Sequence, residues 1–181
     1  MNSNKLRPVT VWFTGLSASG KTTLSQRLKA DLSEKGINNI KFLDGEDLRD
    51  KLQNSKYSTN DRNSLGIVKA QLAFEYNKKG KIVIITGIAH HKETRKKIRK
   101  LIPHYFEVYL KCSVKVCAKR DFKGHYQKAF AGEYKDFIGV TEPYQESDSA
   151  DLVLDTSSMS ITECASIIFK VTSSFINTPV Q

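Results

Sequence analysis

The chain has 181 residues, and its 29 Lys and Arg against 19 Asp and Glu give a formal net charge of +10. That length suits one compact domain covering residues 1–181 and is short for two. Hydrophobic residues make up 39% of the chain, which excludes a disordered polymer, and no apolar run approaches the roughly 18 residues of a membrane span. Residues 9–13 are apolar but run straight into a glycine-rich turn, so no signal peptide is read, and a cytoplasmic protein without a membrane partner is expected. Cys112, Cys117 and Cys164 make no Cys-x-x-Cys pair and read as packing residues in a reducing compartment. The positive excess by itself admits nucleic acid, an acidic membrane surface or a small polyanion such as a nucleotide.

Five short runs rich in Val, Ile, Phe and Tyr, at 9–13, 40–43, 82–86, 106–110 and 152–154, alternate with stretches of helical periodicity. That alternation predicts an α/β fold, a five-stranded parallel sheet flanked by helices. The first helix is expected over 21–35, stopped by Gly36. The second is expected over 63–79, with Leu65, Val68, Leu72 and Tyr76 as its inward stripe and Gly80 as its stop. Shorter helices are expected over 91–101 and 114–120. The last covers 161–175, with Ile161, Ala165, Ile168 and Val171 or Thr172 facing inward. Residues 121–149 break the alternation with Gly124, Gly132, Gly139, Pro143 and many Lys and Tyr, the composition of a basic lid.

Directly after the first run comes Gly15-Leu16-Ser17-Ala18-Ser19-Gly20-Lys21-Thr22, which fits Gly-x4-Gly-Lys-Ser/Thr. The glycines let the backbone turn tightly enough to aim successive N–H groups at phosphate oxygens. Lys21 then reaches the β and γ phosphates, and Thr22 offers its hydroxyl to Mg2+. The helix opening at Lys21 adds the positive end of its dipole. Gly15, Ser17, Ala18, Ser19, Gly20, Lys21, Thr22 and Thr23 therefore form the expected binding set for ATP or GTP.

A kinase further needs an acceptor pocket, a group near the acceptor hydroxyl and a lid that excludes water. Asp44, Glu46, Asp47 and Arg49 follow the second apolar run, at the carboxyl edge of the sheet beside the loop. Such a cluster can hold magnesium waters and take a hydroxyl proton, while Arg49 can fork onto an acceptor phosphate. It reads equally as a solvated turn before a helix with an acidic first turn.

From residue 9 to residue 156 the sequence resembles the adenylylsulfate (APS) kinases. The resemblance rests on Gly-Leu-Ser-x-Ser-Gly-Lys-Thr-Thr at 15–23, Phe-Leu-Asp-Gly-acidic-x-Leu-Arg at 42–49, and Asp61-Arg62 before a helix ending in Gly80. Most specific is the string Arg120-Asp121-x-Lys123-Gly124-x-Tyr126-x-Lys128-Ala129, followed by Ala131-Gly132-Glu133, Phe137-x-Gly139-Val140 and Pro143-Tyr144. The resemblance implies the P-loop kinase fold, with ATP and Mg2+ as cofactors and transfer of the γ phosphate to the 3'-hydroxyl of a nucleotide. It implies catalytic roles for Lys21, Asp44 and Glu46, with Thr22 and Asp44 at the metal and Arg120 near the adenine. Acceptor contacts are implied for Glu46, Arg49, Tyr57, Arg62, Lys123, Lys128 and Phe137, the pair Tyr57 and Phe137 sandwiching the base. The family also suggests a homodimer.

Departures gather on the acceptor side. Leu65 stands where the family has an Asn, and cannot hydrogen-bond. Thr86-Gly87-Ile88-Ala89-His90-His91 replaces Ala-Phe-Ile-Ser-Pro-Tyr, and Phe130 replaces a lid arginine. With Leu65 and Ile88 lining a reshaped pocket, the expected acceptor is cytidine diphosphoramidate, the substrate of a relative on the same scaffold in capsular polysaccharide phosphoramidate synthesis. The alternative is adenylylsulfate itself, with the departures as drift, and a more remote one is a non-catalytic ATP-binding protein. His90 and His91 read either as acceptor-phosphate contacts or as a strand end. The basic run of Lys92, Arg95, Lys96, Lys97, Arg99 and Lys100 lacks interleaved aromatics and reads as a solvated face apart from Arg95, which matches a family arginine, so no nucleic-acid partner is expected.

Overall fold

The structure is a computed structural model that describes residues 6–44 and 58–178. Glu46, Arg49 and Tyr57 lie outside these residues. The strands are β1 (Thr10–Thr14), β2 (Ile40–Leu43), β3 (Ile82–Thr86), β4 (Tyr105–Lys111) and β5 (Leu152–Asp155). All pair in parallel in the order β2-β3-β1-β4-β5. Every residue of β1 and β3 is buried, as a strand covered on both faces requires. The crossovers are α1 (Lys21–Glu34), α2 (Thr59–Lys78), α3 (Lys92–Leu101), α4 (Val114–Arg120) and α5 (His125–Phe130), with α6 (Ile161–Asn177) last.

Alternate residues of each strand feed two cores, because side chains on a strand alternate between faces. Val11, Phe13, Ile82, Ile84 and Val108 pack with Leu24, Leu28 and Leu32 of α1 and Ile168 of α6. Trp12, Val83 and Ile85 face the other way, onto Ala70 and Ala73 of α2 and Ile98 of α3. A third cluster lies under the lid, where Tyr126 and Ile138 meet Leu16, Cys112 and Cys117.

Three expectations shift. The second helix starts at Thr59, because Ser58 caps it by accepting from the Asp61 N–H, a signal hidden in a polar first turn. Its buried face is Leu65, Gly66, Lys69, Ala70 and Ala73, while Val68, Leu72 and Tyr76 are half-buried. Small residues let α2 approach the sheet closely, and the larger apolar side chains flank that contact. In α6 the inward residues are Cys164, Ala165, Ile168, Thr172 and Ile176, and Ile161 is 61% exposed. The first turn is instead set by a capping box, Ser160 with Glu163. The lid is less irregular than its composition suggests, since α5 and the buried Tyr126, Ala129 and Ile138 anchor it.

The basic run on α3 divides. Lys96, Lys97 and Lys100 are exposed, but Arg95 is only 2% exposed. Its guanidinium donates to the carbonyls of Ala89 and Gln145, each at 2.6 Å, and its Nε lies 3.7 Å from the fully buried Glu107. Glu107 also accepts from Ser147 Oγ and Tyr105 Oη. Burial, then the Glu107 carboxylate, push the Tyr105 phenol well above its ordinary pKa. Removing one partner strands the other charge, so Arg95→Ala should lower unfolding free energy by about 3–5 kcal/mol. Urea denaturation measures this, and a loss under 1 kcal/mol refutes it.

Candidate active site

The carboxyl edge of the sheet carries the site, and β1 at its centre places the phosphate loop there. Gly15 has φ +140°, and a Cβ on it would sit 2.5 Å from the Leu110 carbonyl oxygen and 2.9 Å from Ser19 Oγ. Only glycine lets the loop lie this close to β4. Gly20, at φ +96°, turns the chain into α1. Ala18 also adopts a left-handed φ of 57°, a conformation that carries strain for a residue with a Cβ. The Lys21 ammonium donates to the carbonyls of Gly15 at 3.1 Å and Leu16 at 2.6 Å, so it is held over the loop. Ser19 is fully buried, and its hydroxyl has no hydrogen-bond partner among the described residues.

A cleft of about 1300 Å³ opens over this loop, wider than the ~300–1,000 Å³ usual for one small-molecule site. Its floor is Ser17, Ala18, Ser19, Gly20, Lys21, Thr22 and Thr23. On the β4–β5 side it is bounded by Arg120, Thr156 and Met159. Arg120 donates to the Thr156 carbonyl at 2.7 Å, and Thr156 Oγ1 donates to the Ser19 carbonyl at 3.0 Å, which ties this wall to the loop.

On the β2–β3 side stand Asp44, Arg62, Leu65 and Ile88. Asp44 accepts from Thr86 Oγ1 at 3.1 Å, which fixes one carboxylate oxygen at the end of β2. The lid contributes Lys123 and Phe137. Lys128 is exposed and does not line the cleft, a departure from its expected place, because α5 turns it outward while burying Tyr126 and Ala129.

Two residues of this cleft escaped the sequence reading. Lys69, 4% exposed, donates from Nζ to the Thr86 carbonyl at 2.9 Å. It lies beside Gly87, where a Cβ would come within 3.0 Å of the Trp12 ring and 3.4 Å of Lys69 Nζ. A signal was present: Lys69 falls four residues after Leu65, on the inward face of α2. Tyr134 stacks on Phe137 with ring centroids 5.8 Å apart, and its hydroxyl meets His125 Nδ1 at 3.1 Å. The cysteines are buried and free, and burial pushes the Cys117 thiol up to about 12.

His90 and His91 stand off the cleft wall. His90 is fully buried, its Nε2 lies 2.9 Å from Glu142, and burial lowers its pKa. Burial raises the Glu142 carboxyl, but hydrogen bonds from Thr59 and His90 outweigh it and hold it below its ordinary value.

Transfer of a phosphoryl group asks little covalent chemistry of a protein and much positioned charge in a closed, dry cleft. Loop, lysine, fixed carboxylate and lid converge here for that purpose, and they define the class as a P-loop phosphotransferase. A family profile described as adenylylsulphate kinase matches residues 7–155. An adenylyl-sulfate kinase from Synechococcus sp. (strain JA-3-3Ab) is 36% identical over 169 residues, covering 91% of this chain and 93% of that protein. A probable bifunctional SAT/APS kinase 2 from Sorangium cellulosum is 38% identical over 151 residues, 81% of this chain, which spans 25% of that longer protein. Among solved structures, the Mycobacterium tuberculosis APS kinase CysC in complex with AMPPNP and APS has a TM-score of 0.85 and 35% identity, covering 92% of this chain and 98% of that one. The chain belongs to the adenylylsulfate kinase family, ATP-dependent phosphotransferases with an alcohol acceptor.

Gly15→Ala tests the loop geometry. The added Cβ must push the loop off β4, so nucleotide affinity should fall by about 10-fold or more and stability by about 2 kcal/mol. Wild-type ATP affinity in a calorimetric titration would contradict the close approach.

Proposed function

We propose that the chain is an adenylylsulfate kinase, moving the γ phosphate of ATP to the 3'-hydroxyl of adenylylsulfate. The observation that carries this is the wide cleft on a scaffold superposable on a relative solved with AMPPNP and APS together. The named relatives favour adenylylsulfate over cytidine diphosphoramidate as acceptor, so the pyrimidine and capsule expectation lacks support.

In this reading ATP lies over the loop with its base toward Arg120 and Thr156, and its phosphates meet loop N–H groups and the N-terminus of α1. Lys21 leaves its carbonyl contacts for the β and γ phosphates and stabilises charge as the bond to the leaving oxygen breaks. The Thr22 hydroxyl and the Asp44 carboxylate fit a hard divalent cation, both lining the cleft beside the loop. Mg2+ held there would neutralise phosphate charge. Arg62 faces the acceptor's anionic groups, and Phe137, backed by Tyr134, offers its ring to the acceptor base. Glu46, Arg49 and Tyr57 keep the acceptor roles that the family resemblance implies. Lys123 and, from the outer lid surface, Lys128 add positive potential.

Purified chain with ATP should consume it only when an acceptor is added, and should convert adenylylsulfate at a higher kcat/KM than cytidine diphosphoramidate. The reverse preference would overturn the acceptor, and acceptor-independent hydrolysis would overturn the kinase reading. Lys21→Ala should lower turnover by about 10³-fold or more.

Lys69 extends this wall with a buried ammonium. Lys69→Met should raise the acceptor KM by about 10-fold with the ATP KM little changed. Equal effects on both substrates would remove it from the acceptor side.

A further inference from the structure

Behind the acceptor wall lies a cluster with no part in the transfer just described. His90 follows the end of β3, His91 directly precedes α3, and Glu142 belongs to the return of the lid. His90 Nε2 is 2.9 Å from Glu142 Oε1, and His91 Nε2 is 3.4 Å from the same oxygen. Ligand atoms of the three residues all lie within 4.8 Å of one another. Bonds of about 2.0–2.1 Å to a tetrahedral ion place neighbouring donor atoms roughly 3.3 Å apart. The two measured separations bracket that value, and the third pair lies within the 4.8 Å that encloses the cluster.

We propose that His90, His91 and Glu142 bind one divalent transition-metal ion of the zinc class. Two imidazoles and one carboxylate suit Zn2+ and its neighbours, and Mg2+ and Ca2+ poorly, because those ions prefer oxygen donors. The second shell is present on the carboxylate side: Thr59, in the first turn of α2, donates its hydroxyl to Glu142. Access is present too, since His90 is fully buried but His91 is 33% and Glu142 17% exposed, which leaves a path from solvent.

The ion is structural by position. It joins the base of the lid to the strand that delivers Ile88 and Ala89 to the cleft, at a junction already closed by the Gln145 N–H on the His90 carbonyl at 3.0 Å. The proposal stands apart from the acceptor's identity, and its test reads the metal alone.

Metal-free full-length chain is titrated with Zn2+ by calorimetry and with Co2+ by visible absorption, alongside His91→Ala, Glu142→Gln and Thr59→Val. His104→Ala serves as control for histidines elsewhere. The expected result is one ion per wild-type chain, affinity lower by about 100-fold in His91→Ala and Glu142→Gln and about 10-fold in Thr59→Val, and no change in the control. Zn2+ should also raise the thermal midpoint of the wild type and not of His91→Ala, a readout that registers whether each variant is folded. Absence of stoichiometric binding to the wild type overturns the site, as does wild-type affinity in both His91→Ala and Glu142→Gln.

Discussion

A guanidinium buried to 2% exposure must be met on every side, and the partners of Arg95 define the back of the active cleft. Its two short bonds go to the carbonyls of Ala89 and Gln145, one just past β3 and the other in the lid's return. The buried Glu107 answers its charge from β4. One side chain on α3 thus sets the separation of two neighbouring crossovers. Glu107 in turn gathers Tyr105 and Ser147, so the polar groups of this region form one network closed away from water.

The cleft inherits its geometry from that frame. The loop lies flat against β4 because Gly15 admits the Leu110 carbonyl, and β1 lies between the strands that carry the two walls. Arg120 and Thr156 tie one wall together by side-chain-to-backbone hydrogen bonds, and in the other Lys69 donates to the Thr86 carbonyl while the Thr86 hydroxyl donates to Asp44. The departures at Leu65 and Gly87 fall on that second wall.

The strands and the phosphate loop were legible because each has a local signature: continuous apolar runs for buried parallel strands, and fixed glycine spacing for the loop. Helices α3 and α4 were likewise placed to within a residue. Less legible was anything set by packing between elements. The inward face of α2 carries Gly66, Ala70 and Ala73, residues that contribute little to an apolar stripe but allow close approach. Lys69 is hidden by its neighbours and not by its own hydrophobicity. Arg95 was set apart from its run of cations only by its match to a family arginine, and its burial arises from Glu107 and Gln145 far along the chain. Lys128 shows the converse, a motif position that the short helix α5 turns away from the cleft.

The strand order leaves β2 and β5 outermost, and each is only four residues long. Unpaired edges of parallel sheets are templates on which further chains can add as new strands. Four residues give such an addition few backbone hydrogen bonds. The brevity of both edge strands thereby limits growth of the sheet, along its two sides, into an aggregate.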